Sequence, residues 1–354
     1  MLARCFALAA AALAVALPCA AVAAGPRDVL DTPSETSALA SRGLLNGLAH
    51  AGERVVAVGQ RGHIVYSDDA GRSWVQARVP VSSDLVAVAF ATPLQGWAVG
   101  HDGVVLHSAD GGASWVRQLD GRSSGAALLA YYQAQAASGA LGAPERAAKL
   151  LQDAKRFAEE GAGNPLLDVW FANEREGFVV GAFNLIFHTS DGGTTWQPWL
   201  EHTDNPKALN LYAIRPAGGA LYIAGEQGLL LKLEGERFRA LDIPYKGSLF
   251  GITGDARSAI VFGLRGNALR STDGGATWQS VATGVQAGLT GGAVGAAGVV
   301  LVSQAGDVLL SRDDGATFAR LKTGRPVPAA AVVDAGAHTL VIAGPLGVHT
   351  LALN

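Results

Sequence analysis

Short apolar runs closed by glycine recur along the chain, each followed after two intervening residues by a second glycine. They are Val55–Gly59 with Gly62, Gly96–Gly100 with Gly103, Leu221–Gly225 with Gly228, Ile260–Gly263 with Gly266, and Leu340–Gly344 with Gly347. Runs this brief, bounded by glycine turns and rich in β-branched residues, predict buried strands rather than helices. A polar pattern follows most of them. Ser67–Trp74, Ser108–Trp115, Thr189–Trp196, Ser271–Trp278 and Ser311–Phe318 all fit S/T-x-D-x-G-x-S/T-W/F, the Asp-box pattern, and a degenerate copy keeps Gly235 and Phe238.

The spacing of the aromatic positions 74, 115, 196, 238, 278 and 318 sets the unit at about 40 residues, the length of a four-stranded propeller blade. The expected fold is therefore all-β: a seven-bladed β-propeller of Asp-box repeats over residues 25–354. The seventh run, ending at Gly344, is followed by no box. Residues near Pro26–Pro33 are expected to supply the outer strand of that blade, which would remove two exposed sheet edges.

Turn chemistry accounts for the boxes. An Asp carboxylate accepts N–H bonds across a turn, glycine takes positive φ, and the aromatic ring packs between blades. Asp69, Asp110, Asp191, Asp273 and Asp313, with Trp74, Trp115, Trp196, Trp278 and Phe318, are therefore read as scaffold and not as catalytic groups.

The double-length interval between Trp115 and Trp196 holds one blade and an insert, residues 123–162. Gly125–Ser138 and Pro144–Glu160 predict a helical hairpin between blades two and three. The second helix has proline in its first turn, an apolar stripe through Leu150, Ala154 and Phe157, and Gly161 as a stop. It is either a hairpin packed on the rim or an arm that binds a partner.

Strand parity places it. In a four-stranded meander the boxes join the third and fourth strands, so an insert after a fourth strand lies at the opposite rim. That rim also carries the turns between second and third strands. Its candidate binding residues are Arg61 and His63, His101 and Asp102, Asn184, Glu226, and Arg265 and Asn267.

The ends of the chain and its composition add the compartment. Arg4, the apolar run Phe6–Leu17 and the small residues Ala21–Ala24 read as a signal peptide over residues 1–24, cleaved near Ala24, hence a periplasmic or secreted protein. Pro18 before Cys19 does not suit a lipoprotein. No later stretch reaches the roughly 20 apolar residues of a membrane helix, so the mature chain is not expected to be transmembrane. Both cysteines fall in the leader, which excludes disulfide, thiolate and cysteine–metal chemistry in the mature chain. With 27 basic and 30 acidic residues, the chain has no bulk attraction for nucleic acid.

Candidate chemistry is sparse. The eight histidines show no metal-ligand spacing, and no motif for a cofactor is present. Asp-box propellers include sialidases, which pair a tyrosine nucleophile with a glutamate and hold their substrate with arginines. Here Arg215-Pro216 and Arg325-Pro326 lack the expected isoleucine, and nothing in the sequence marks Tyr212, Tyr222 or Tyr245 as a nucleophile.

Two segments carry a resemblance. Leu85, Val88-Ala89-Phe90 and Gly96-Trp97-Ala98-Val99-Gly100 precede one box, and Leu166, Val169-Trp170-Phe171 and Gly177-Phe178-Val179-Val180-Gly181 precede another. This pattern resembles the photosystem II stability/assembly factor family of seven-bladed propellers, in the version found in non-photosynthetic bacteria. The resemblance implies a protein partner, docked in photosynthetic members through arginines on one face. Only Arg61 and Arg265, each in a Gly-x-Arg-Gly turn, match that patch here. The helical insert departs from the basic pattern and resembles versions that accompany resistance-nodulation-division-type exporters. The function this implies is a non-catalytic periplasmic binding or assembly factor for a membrane protein or envelope complex, with a role accessory to such an exporter as its narrower form. The competing reading is a secreted sialidase-like glycosidase or a lectin.

Overall fold

A computed structural model describes residues 27–336 and 338–353. The expected signal peptide and its cleavage site lie outside the described residues. Seven antiparallel sheets follow one another along the chain, six of four strands and the last of three, in an arrangement that fits a seven-bladed propeller. The first blade is the pattern for the rest: Leu45–Ala51, Arg54–Gly59, Ile64–Ser67 and Val75–Gln76, paired in sequence order.

Burial follows position in the blade. Second strands such as Gly96–Gly100, Gly177–Gly181 and Ala259–Gly263 are buried at every residue. Neighbouring blades cover both of their faces, which is why they read as continuous apolar runs. The inner strands alternate between buried and partly exposed positions, and one of their faces lines a central channel.

The glycine that ends each second strand is there for closeness. A Cβ on Gly59 would sit 2.1 Å from the carbonyl oxygen of Leu44, and Gly100, Gly181, Gly225, Gly263 and Gly344 meet the equivalent carbonyl in their own blades. Gly62 differs, since its φ of 68° is itself left-handed.

Each box aromatic packs toward the preceding blade. Trp278 meets Tyr222 edge-on at 5.8 Å, and Phe318 joins the cluster around Phe262. In the first blade Trp74 lies with Val333 and Val341 of the seventh. His50 Nε2 also contacts the Asp334 carbonyl at 2.9 Å, a second tie between these blades.

The N-terminal residues do not complete the seventh blade, whose described strands are Ala331–Asp334, Thr339–Gly344 and Gly347–Ala352. Pro26 lies outside the described residues. The rest of the expected segment turns instead toward blades one and two, where Leu30 is buried with Val79, Val81 and Trp115. The Ser82 N–H donates to the Val29 carbonyl at 2.8 Å, and the Leu30 carbonyl accepts from Arg117. The apolar Leu30 is buried there in a cleft between blades, which removes its side chain from water. Residues 40–42 instead cover the outer side of blade seven, with Ser41 against Gly347.

The insert forms two helices, α1 (Gly121–Ala137) and α2 (Pro144–Glu160). Helix α1 starts four residues earlier than its apolar pattern suggests, because Asp120 caps it by accepting from the Arg122 N–H at 3.0 Å. Its glycines serve close packing. A Cβ on Gly125 would lie 2.6 Å from the Phe157 carbonyl, and one on Gly121 would lie 2.6 Å from Ala162. No helix among the described residues is long and apolar enough to cross a membrane.

Candidate binding surface and channel

The Asp boxes share one set of hydrogen bonds. In the first, Asp69 Oδ1 accepts from the Ser67 hydroxyl at 2.7 Å and from the Ser73 N–H at 2.8 Å, while Oδ2 accepts from the Ser73 hydroxyl at 2.5 Å. The Trp74 indole N–H donates to the Gly71 carbonyl at 3.1 Å. Asp110, Asp191, Asp273 and Asp313 accept from the corresponding groups. Hydrogen bonds to the charged form hold the Asp313 carboxyl down at about 2, with the Thr317 hydroxyl the largest contributor. These carboxylates are committed to the turn.

The opposite rim carries the second-to-third-strand turns. In five blades the middle residue of that turn is left-handed: Arg61, Asp102, Phe183, Gln227 and Arg265, with φ of 53–58°. At this position Arg61, Phe183, Gln227 and Arg265 are exposed and Asp102 is partly so. The turns are braced by the next blade. Asp84 Oδ1 accepts from the Arg61 N–H at 2.7 Å, and Asn210 Oδ1 accepts from the Phe183 N–H at 2.8 Å.

The sequence-derived rim residues divide into two kinds. Arg61, His101, Arg265 and Asn267 are exposed, and Asp102 is partly so. His63 and Asn184 are buried and offer no side chain to a partner at the surface. Burial lowers the His63 pKa. Asn184 is bound to the Thr203 hydroxyl at 2.9 Å and to the Asn205 amide at 2.9 Å, a buried polar lock. Glu226 also works locally, accepting from the Asn210 N–H at 3.0 Å and from the Tyr212 hydroxyl at 3.2 Å. Arg61 and Arg265 share a rim but stand on blades one and five, so the turns of other blades separate them.

The insert stands at this same rim. Gly103, in the blade-two turn, packs against Gly121 and the Asn164 carbonyl. Leu128, Tyr132, Leu150, Ala154 and Phe157 then bury themselves against Leu185, Phe187 and Leu200 of blade three. The Tyr131 hydroxyl donates to Glu201 Oε1 at 2.9 Å, Tyr132 donates to Oε2, and Tyr132 also accepts from the Leu200 N–H at 2.9 Å. The outer face of α2 carries i,i+4 pairs such as Lys149–Asp153 and Arg156–Glu160.

Where the seven sheets converge, a cavity of about 380 Å³ is lined by residues of their inner strands. Its one ion pair among the described residues, Asp168 with Arg215, was not singled out by the repeat pattern. Asp168 is buried in the inner strand of blade three, where Oδ2 takes the Arg215 Nη1–H at 2.6 Å and the Ile214 N–H at 2.8 Å. Burial pushes the Asp168 carboxyl up, and the Arg215 guanidinium opposes that shift. An acid inside the otherwise apolar run Leu166–Phe171 was the available signal.

Burial raises the pKa of Tyr212, Tyr222 and Tyr245, the three tyrosines weighed as nucleophiles. Tyr212 does meet a carboxylate, Glu226, while Tyr245 donates to the Leu264 carbonyl at 3.0 Å. Among the described residues no group of His, Cys, Asp and Glu is arranged to hold a metal ion.

The family model for photosynthesis system II assembly factor YCF48 matches residues 69–139 and 156–280, together more than half of the chain. The chain belongs to this family. A curated relative, the photosystem II assembly lipoprotein Ycf48 of Synechococcus sp. (strain CC9902), is 30% identical over 129 residues. That match spans 35% of this chain and only 38% of the relative's length. Among solved structures, YCF48 bound to D1 peptide superposes with a TM-score of 0.63 at 15% identity, covering 89% of this chain and 94% of that one. A streptogramin B lyase superposes with a TM-score of 0.65 at 12% identity over 93% of this chain and 100% of its own. These two likenesses show the fold, which family members and an enzyme share.

Proposed function

We propose that this chain is a non-catalytic periplasmic binding factor that assists a membrane protein complex, with an exporter of the resistance-nodulation-division type as the leading partner class. Membership of the assembly-factor family carries the reading, and a relative of the same fold has been solved with a peptide of D1 bound. The rim geometry supports it. Arg61, Phe183 and Arg265 are exposed in left-handed turns, and the insert adds a folded shoulder beside Phe183.

The test is cross-linked capture from envelope membranes of the source cell, comparing the full chain, a chain lacking residues 121–163, and an Arg61→Ala/Arg265→Ala chain. One membrane protein held by the first and lost from either variant supports the reading. Equal capture by all three removes the rim from it. Mass spectrometry of the exported protein should find Gly25 at its N-terminus; retention of residues 1–24 would place it elsewhere. The glycosidase and lectin readings call for a sialidase assay and a glycan array. Clear turnover abolished by Tyr212→Phe would displace the binding-factor proposal.

A further inference from the structure

We propose that the propeller channel is a site for a small carboxylate, with Arg215 as its anchor. The starting observation is a break in the repeat. Strand register aligns Asp168 with Gly47, Ala87, Ala213, Gly251, Gly291 and Ala331 in the inner strands of the other six blades. Six blades thus pack this position with a hydrogen or a methyl group, and one places a buried carboxylate there. The Arg215 position is likewise held elsewhere by uncharged residues such as Ala49, Ala89 and Thr253.

Packing does not require this pair. A buried ion pair costs desolvation that its attraction only partly offsets, and small apolar residues serve the other blades. What the pair achieves is the placement of a guanidinium. Asp168 is consumed behind it, accepting from the Val169 and Ile214 N–H groups as well as from Arg215. Arg215 spends a single nitrogen on the wall, with Nη1 donating to Asp168, to the Val169 carbonyl at 3.0 Å and to the Ile214 carbonyl at 2.7 Å. Among the described residues Nη2 and Nε have no partner, and the side chain is 34% exposed as it lines the channel.

A guanidinium with its remaining donors free is shaped for a carboxylate. The volume of about 380 Å³ lies in the range of small-molecule sites. Small residues such as Gly47, Ala87, Gly251 and Ala293 alternate with larger ones such as Tyr212 and Phe250 around the wall, and the limited volume keeps the rest of the ligand compact. A cation is disfavoured, because Asp168, the only carboxylate on the wall among the described residues, is buried and already satisfied.

Calorimetric titration of the full chain with succinate, and separately with acetyl-dialanine and its C-terminal amide, tests the site. Binding is expected at low ionic strength with a dissociation constant on the order of millimolar. Succinate alone binding identifies a free acid. Acetyl-dialanine binding, with its amide silent, identifies a peptide chain end. Either result retains the carboxylate site. The Asp168→Ala/Arg215→Ala chain carries at both positions what other blades carry, and should fold while losing at least tenfold in affinity. Arg61→Ala/Arg265→Ala should bind like the parent, which separates this site from the proposed rim. A shift of the Arg215 Nε–H resonance on adding succinate gives a readout in the unaltered protein. No heat and no shift with either acid, or full affinity in the double variant, overturns the proposal.

Discussion

The guanidinium of Arg156 on α2 lies 4.8 Å from the centroid of the Phe183 ring, in the blade-three turn. The same guanidinium is 4.5 Å from the ring of Phe157, so it lies near both an insert residue and a rim residue. Phe183 is 47% exposed, and the contact joins the insert to the rim as one surface. A cation–π contact this open is worth about 0.5–1 kcal/mol. Arg156→Ala is therefore expected to leave global stability nearly unchanged and to speed amide exchange at the C-terminal end of α2. Hydrogen-exchange mass spectrometry over residues 144–160 reads this directly.

Tyr132 is a stronger anchor. Its hydroxyl meets both Glu201 and the buried Leu200 N–H. Tyr132→Phe preserves the ring and deletes the hydroxyl, leaving that N–H without a partner, which typically costs about 1–3 kcal/mol. The expected result is a lower denaturant midpoint, with the loss confined to the insert and blade three in exchange data. A midpoint unchanged from the parent would mean that water replaces the hydroxyl.

The strand-ending glycines make a paired test. Gly59→Ala drives a methyl group into the Leu44 carbonyl, a backbone atom with no room to yield. Overpacking of this kind costs about 1–3 kcal/mol. Gly324→Ala, where the new methyl group meets nothing within 4 Å, is expected to be neutral or slightly stabilising. Thermal unfolding of the two variants side by side distinguishes them.

The boxes set an acid limit. Asp313 has its folded-state pKa depressed from the ordinary 3.8 to about 2, and Asp69, Asp191 and Asp273 move the same way through their own box hydrogen bonds. A depressed carboxylate contributes its full stability above the unfolded value and loses it as pH falls through the folded one. Stability should thus decline as pH drops from about 4 to about 2. Asp313→Asn should be less stable than the parent near neutrality and should lose less across that window. Urea denaturation at stepped pH measures both.

Much of this architecture was legible in the sequence because it repeats. The glycine-ended runs, the box and the period of about 40 residues each report a local demand: a close backbone approach, a turn that needs a carboxylate, and a blade that needs four strands. Meander parity then placed the insert at the rim opposite the boxes, where the contact of Gly103 with Gly121 puts it. Helix α2 was read to its final residue bounds because proline, an apolar stripe and glycine mark its ends.

Other features depend on partners distant in the chain. Burial of His63 and Asn184 follows from what the neighbouring elements bring over them, which a turn motif does not encode. The course of residues 28–34 was decided by a cleft between blades one and two that exists only once both have formed. Asp168 and Arg215 are 47 positions apart and gain meaning only when their inner strands face one channel. The sequence alone thus determined the blade, its turns and its count, since these are local solutions repeated along the chain. The tertiary structure decided which polar residues meet solvent, where the N-terminal segment docks and what the channel presents, since each depends on surfaces that several blades create together.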